Sequence, residues 1–113
     1  MASVFDGKNI SYDFEKLHDY INNSGSGVAL APTAAGILVS VLEALKIKIK
    51  ENNLNPDESD LPNALYAARE LQKYVNHQQS EIANTAAARV YVTSLRADFV
   101  EMQRYEKEMD ADG

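Results

Sequence analysis

The side chains that could support catalysis are few, and their spacing does not form a recognisable set. Of the two histidines, His18 lies beside Asp19 and three residues after Glu15, while His77 stands in a polar run. Acid–base catalysis needs such a group within hydrogen-bonding reach of a partner in a cleft. The spacing brings no second ligand or nucleophile to His18. We therefore predict no catalytic residue, no metal site, no cofactor and no enzymatic activity.

Carboxylates are clustered in two places, the polar segment 57–60 and residues 106–112. A catalytic carboxylate pair needs two different environments within one cleft. The first cluster also lacks the residue order of a calcium-binding loop. We interpret both clusters as solvated surface charge.

The glycine- and serine-rich segment 22–27 precedes an apolar stretch, as a phosphate-binding loop precedes its helix. The order G-x-x-x-x-G-K-[ST] after a strand is missing. The segment is therefore predicted to be a connector between two helices.

Composition indicates a small globular protein. The chain has 113 residues, of which 45% are apolar and 25% charged, with no cysteine and a formal net charge of −6. This length suits one domain with a modest core. An acidic balance disfavours binding to nucleic-acid phosphates. Because residues 1–6 lack the pattern of a signal peptide, we expect a cytoplasmic protein, one exported without a cleavable signal, or a virion component.

Two helices are predicted in the first half of the chain, after an irregular arm over residues 1–10. The first spans about 11–23 and is followed by a central apolar helix over about 30–52, which is too short and too interrupted for a membrane span. The end of the second, Leu45–Lys50, alternates apolar and basic residues as a half-buried strand does. No other segment offers a matching strand, so a helix is favoured. In that helix Ile47 falls away from the main apolar face and becomes a candidate contact with another chain.

The second half, about 60–109, is predicted to form one long helix because it contains no glycine or proline after Pro62. Two apolar seams with heptad spacing run along it, and they are out of phase. The first consists of Leu61, Leu65, Ala68, Gln72, Val75, Gln79, Ile82 and Ala86. The second consists of Ala88, Val92, Leu95, Phe99, Met102, Glu106 and Met109. We expect a bend or a change of packing partner near 85–90 and a frayed tail at 110–113.

A helix of roughly 70 Å would outgrow the rest of a single domain spanning residues 11–109. Its last third would then be exposed, and a second chain would be needed to cover it. On such a helix three tyrosines fall on one side. The predicted interaction residues are Ile47, Tyr66, Tyr91, Leu95, Phe99, Met102 and Tyr105.

Two short segments resemble known families. The polar turn Leu54–Pro62 resembles the turn of needle and inner-rod subunits of type III secretion machines, which implies a helical hairpin that assembles with its own copies. It is also similar to the turn of small secreted helical hairpins, although their Trp-x-Gly turn is absent. Ser80–Leu95 resembles a helix-turn-helix at Ile82-Ala83, but Ala87 replaces the turn glycine, and a continuous helix is favoured.

The sequence thus predicts an all-α helical hairpin or bundle with a short N-terminal helix, a central apolar helix and one long C-terminal helix. The favoured function is a non-enzymatic interaction protein of bacterial or phage origin: an oligomerising structural subunit, an adaptor or an assembly chaperone. Its expected partner is a protein, most simply its own copies, rather than a small-molecule substrate, nucleic acid or a membrane. The alternative is a small acidic regulator or inhibitor that acts on nucleic acid or on a nucleic-acid-processing complex.

Overall fold

A computed structural model of the chain describes residues 3–22 and 29–112, and this part is all-α, as predicted. The four helices are α1 (Ile10–Asn22), α2 (Ala31–Glu51), α3 (Leu61–Val75) and α4 (Thr85–Asp112). A 3-10 turn, Pro56–Glu58, joins α2 to α3. Residues 45–50 belong to α2, so helix rather than strand is confirmed there. The predicted connector 22–27 lies outside the described residues except for Asn22, the last residue of α1.

The helices form an up-and-down bundle in which each helix packs on the next and α4 returns to pack on α1. Side-chain contacts give the directions. Arg89, near the start of α4, donates to Asn22 at the end of α1 over 3.1 Å. Lys48, near the end of α2, lies 3.1 Å from Asp110, near the end of α4. The α2 and α4 helices therefore lie on one diagonal of the bundle and run in the same direction.

The centre of the bundle is built around the aromatic ring of Phe99. This ring meets Phe14 of α1 edge to face at 5.3 Å and Phe5 of the N-terminal arm at 5.9 Å. Such edge-to-face pairs stabilise beyond the area they bury. Phe14 and Phe99 are each 2% exposed. Residues 3–9, the described part of the arm, form no helix, and Phe5 covers part of the core.

The prediction of one helix over 60–109 is wrong, because the chain leaves the helical conformation between Val75 and Thr85. His77 has a positive φ of 57°, a left-handed conformation that asparagine, aspartate and histidine adopt more readily than most residues. Asn84 then starts the next helix by accepting a hydrogen bond from the backbone N–H of Ala87 at 2.9 Å. The break precedes residues 85–90, where the phase change of the seams suggested a bend. It also removes His77 from any helical seam.

The loop over residues 76–84 is held by a buried glutamate of α3. Glu70 is 4% exposed, and its carboxylate accepts the backbone N–H of Glu81 at 2.8 Å and pairs with Lys73 at 3.0 Å. The hydrogen bond from the Glu81 backbone, with smaller help from Lys73, holds the pKa of Glu70 below its usual value despite burial. The turn between α3 and α4 therefore contains no glycine or proline and is stabilised instead by the charged side chain of Glu70.

The break lets α4 fold back along the bundle, and this corrects a second prediction. Met102 is 1% exposed and Met109 is 8% exposed, although a protruding helix would have exposed both. The α4 helix also continues to Asp112 instead of fraying at 110. In the described part of α4, up to Asp112, the apolar side chains Met102 and Met109 are covered by the chain's own bundle.

The carboxylates of residues 106–112 are not all solvated as predicted, because Glu106 is only 3% exposed. Lys48 of α2 lies 3.1 Å from Glu106 and 3.1 Å from Asp110. Glu106 also accepts hydrogen bonds from the Ser3 hydroxyl and from the backbone N–H of Val4 at 3.0 Å. Burial by itself lowers the pKa of Lys48, but the hydrogen bonds and charges of Asp110 and Glu106 outweigh it and leave the pKa above its usual value. This cluster ties α2, α4 and the N-terminal arm together.

Candidate interaction surface

The solvent-facing side of α4 carries a second run of apolar and small side chains, separate from the buried seam. This outer strip consists of Ala86, Val90, Thr93, Ala97 and Val100, and each is exposed. Val90 is 65% exposed and Val100 is 59% exposed. The members step by four and three residues, the spacing of a heptad seam. The two faces of α4 therefore both have the pattern of a helix-packing surface.

Opposite charges border the outer strip on its two sides. At 100° per residue, Arg89 and Arg96 fall on one flank, while Glu101 and Glu108 fall on the other. The flanking arginines are fixed by α1: Arg89 binds Asn22, and the guanidinium of Arg96 lies 5.5 Å from the centre of the Phe14 ring. The strip is thus a narrow apolar band between a basic edge and an acidic edge.

A shallow groove between α3 and α4 continues the strip sideways. Tyr66 of α3 is 53% exposed, and its ring packs against that of Tyr91 with centres 6.3 Å apart and planes inclined by 36°. The groove is lined by Asn63, Tyr66, Ala67, Val90, Tyr91, Ser94 and Asp98. Because Val90 belongs to both, strip and groove form one continuous area, here called the α3–α4 surface.

Two ionisable groups of this groove have shifted proton affinities. A hydrogen bond with Tyr91, with some desolvation, raises the pKa of Tyr66 from 10.0 to about 12. Burial raises the pKa of Asp98, and the neighbouring charges of Asp60 and Glu101 add to the effect. The Tyr66 hydroxyl therefore stays protonated and uncharged across the physiological range, which suits an apolar contact.

The structure brings together only part of the predicted interaction set. Tyr66 and Tyr91 meet, although they lie on different helices and not on one stripe. Tyr105 is half-buried further along α4, in a hollow that it shares with Glu58 and Asp60 of the α2–α3 connection. The three tyrosines thus do not form a single surface.

Three other predicted interaction residues lie inside the bundle. Leu95, Phe99 and Met102 are 0%, 2% and 1% exposed. Their assignment to an exposed surface is wrong, because it depended on a long helix that reached beyond its neighbours. In the folded chain they form the core.

Ile47 is exposed, at 58%, but it lies on α2, diagonal to α4 and apart from the α3–α4 surface. Its neighbour Lys48 points into the bundle instead. Lys48 therefore breaks the expected alternation of residues 45–50, because it faces inward towards Glu106 and Asp110. A contact of Ile47 with another chain stays a prediction.

The residues of the outer strip were missed from sequence, although their signal is present. Ala86, Val90, Thr93, Ala97 and Val100 keep heptad spacing as well as the buried seam does. Only the fold shows which seam faces the core. Small and β-branched side chains on a second seam were the available clue.

Other kinds of site find little support in the part of the chain that the structure describes. There, no three histidine or carboxylate side chains are grouped so that they could hold a metal ion. Across residues 3–22 and 29–112, no helix combines the length and the apolar character needed to cross a membrane.

Comparison with other proteins adds no relative. No protein-family model matches the sequence, and searches of curated proteins and of solved structures find no significant match. The α3–α4 surface itself is therefore the feature that points to a function.

Proposed function

We propose that the chain is a non-enzymatic helical interaction protein that self-associates through its α3–α4 surface, as a structural subunit, adaptor or assembly chaperone would. The observation that carries this proposal is the outer strip, an apolar seam with heptad spacing that the fold leaves open to solvent. Contiguous exposed apolar areas of this kind mark interaction sites more often than scattered apolar residues do.

The strip is not needed to fill the bundle core, which the opposite face of α4 already supplies. Val90 and Val100 lose little of their exposed area to the chain's own helices, so their apolar surface remains available for a partner. Tyr66 and Tyr91 add aromatic area at the margin, and tyrosine is enriched at protein interfaces. A binding role accounts for side chains that folding does not explain.

Light scattering over a wide concentration range tests the proposal. We expect the mass of the wild-type chain to rise with concentration and the mass of Val90→Asp/Val100→Asp to remain that of a monomer. Ile47→Asp is the matched control, because Ile47 has similar exposure on another helix. Phe99→Asp would not serve, since a buried charge in the core would unfold the bundle.

A monomeric mass for the wild-type chain throughout the range contradicts self-association. Equal loss of association in Ile47→Asp and in the α4 double variant contradicts the choice of surface. Circular dichroism on each variant confirms that the helices remain intact.

The acidic hollow near Tyr105 favours a second candidate function. Glu58 and Asp60 from the α2–α3 connection converge there with Glu101 and Glu108 of α4. Arg104 also lines the hollow and pairs with Glu101, so the carboxylates outnumber the cation by four to one. A regulator or inhibitor that binds a basic nucleic-acid-processing partner would use such an area. Direct action on nucleic acid predicts DNA binding with a steep dependence on salt, and the leading proposal predicts no DNA binding.

A further inference from the structure

Building on the proposed function, we infer that the partner on the outer strip is a second copy of this chain, and that the two α4 helices pair in parallel about a two-fold axis. The inference rests on the arrangement of charge on the two sides of the strip. It specifies both the occupant and its direction.

The outer strip occupies the two core positions of a heptad. With Val90 at position a, the strip alternates between a and d. Arg89 and Arg96 then stand at position g, just before each a residue, and Ser94 and Glu101 stand at position e, just after each d residue. These flanking positions decide which direction of pairing is favourable.

In a parallel pair, a g residue of one helix meets the e residue five places further along the other helix. Arg96 of each copy therefore meets Glu101 of the other, and the two-fold axis produces this pair twice. Arg89 meets the uncharged Ser94. Each side of the interface thus gains one ion pair, between Arg96 and Glu101, and contains no pair of like charges.

In an antiparallel pair, g positions meet g positions and e positions meet e positions. Arg96 would then lie against Arg96 of the second copy, and Glu101 would lose its cationic partner across the interface. Like charges placed opposite each other oppose association. Charge complementarity therefore favours the parallel arrangement.

The heptad spacing also shows where the contact ends. The next core positions after Val100 are Arg104 and Lys107, which would face their own counterparts in a parallel pair. The helices should therefore separate beyond Val100, where Arg104 pairs with Glu101 of its own chain. A contact over residues 86–100, about 21 Å of helix, corresponds to a weak, concentration-dependent dimer.

Cysteine cross-linking tests the direction, because the natural chain contains no cysteine. Val90→Cys and Val100→Cys are made separately, with Lys107→Cys and Ile47→Cys as controls. A parallel pair brings each core position close to its own counterpart, within the reach of a disulfide. Under mild oxidation we expect Val90→Cys and Val100→Cys each to form covalent dimers, well ahead of both controls.

An antiparallel pair gives the opposite pattern. Neither valine variant would cross-link with itself, and a mixture of the two would yield the heterodimer. That result, with a dimeric mass in light scattering, overturns the parallel arrangement and leaves the proposed function standing. A monomeric wild-type chain at every concentration overturns both. Cross-linking of Ile47→Cys as fast as that of the valine variants overturns the choice of surface.

A charge exchange provides an independent test. Arg96→Glu should weaken the dimer about 2- to 10-fold, as expected from the loss of two surface ion pairs. Adding Glu101→Arg should restore it, because the same two positions face each other with exchanged charges. Circular dichroism and thermal unfolding check that both variants keep the fold, since Arg96 also contacts the Phe14 ring and Glu101 pairs with Arg104 of its own chain. Failure of an equally stable double variant to recover contradicts the parallel pairing, since only that direction joins 96 to 101.

Discussion

The two faces of α4 have the same heptad spacing of apolar residues, but one face is buried in the bundle and the other is exposed to solvent. On the inner face, Leu95, Phe99 and Met102 are nearly inaccessible, while on the outer face Val90 and Val100 are more than half exposed. The inner face includes the long or aromatic side chains Leu95, Phe99 and Met102, whereas the outer strip contains only small or β-branched ones. Large side chains can reach the centre of a four-helix bundle, whereas small ones allow a neighbouring helix to approach closely.

Heptad spacing on α4 thus marks a face that can pack against another helix, but it does not show which helix that is. The inner face is covered by helices of the same chain, so its residues determine folding stability. The outer face contributes little to folding, so its residues are free to serve association. Substitutions on one helix should therefore divide into two classes according to direction alone.

The largest effect is expected from truncation of the inner face. Phe99→Ala removes the ring that packs on Phe5 and Phe14, and should lower the free energy of unfolding by about 3–5 kcal/mol. Val100→Ala, the next residue and on the outer face, should change it by no more than about 0.5 kcal/mol. Urea denaturation at low protein concentration measures both without a contribution from association. Similar losses in the two variants would contradict the division into faces.

A smaller effect is expected at the polar position of the inner face. Glu106→Gln removes the negative charge nearest to buried Lys48 on its most buried side and weakens the hydrogen bonds to Ser3 and Val4. The free energy of unfolding should fall by about 2–3 kcal/mol, near or below the lower end for breaking a buried ion pair.

Asp110→Asn is the matched control, because the Asp110 side chain is 33% exposed against 4% for Glu106. It should cost less, since water can replace part of the lost interaction. Thermal unfolding followed by circular dichroism gives the order. A larger loss in Asp110→Asn would show that Glu106 is not the centre of the cluster.

Much of the fold follows from the sequence, and the exceptions have physical causes. The spacing of Phe14, Leu17 and Ile21 gives α1, and the apolar content of residues 31–51 gives α2. The break after Val75 was missed because no glycine or proline marks it. There, the buried carboxylate of Glu70 accepts a hydrogen bond from the loop backbone, and the left-handed conformation of His77 ends the helical path of α3. Such a contact joins residues eleven apart and leaves no local pattern.

The candidate surface was predictable only in part, for a related reason. The sequence pattern places Tyr66 and Tyr91 on one side of a single helix, yet their rings meet because the chain reverses between them. A single long helix would have exposed three further predicted interaction residues, Leu95, Phe99 and Met102. The same reversal of the chain buries them. Which face of a helix is exposed depends on where the chain turns. If one turn is missed, residues predicted to be exposed can be buried, and residues predicted to be buried can be exposed.

The smallest effect is expected at the boundary between the two faces, where Tyr91 holds Tyr66. Absorbance titration of phenolate formation should show one tyrosine with a pKa of about 12 in the folded chain, and Tyr66→Phe should remove that step. In Tyr91→Phe the hydrogen bond is lost, and the pKa of Tyr66 should fall towards 10.0.

The raised pKa also fixes the sign of the pH dependence. Between pH 10 and about 12 the folded chain holds the Tyr66 proton more tightly than the unfolded chain does, so this group's contribution to stability declines as the pH rises. Tyr91→Phe should reduce that decline while leaving the helical content unchanged. If the pKa of Tyr66 is the same in Tyr91→Phe as in the wild-type chain, the tyrosine pair does not join α3 to α4. The boundary between the two faces of α4 would then lie at Val90.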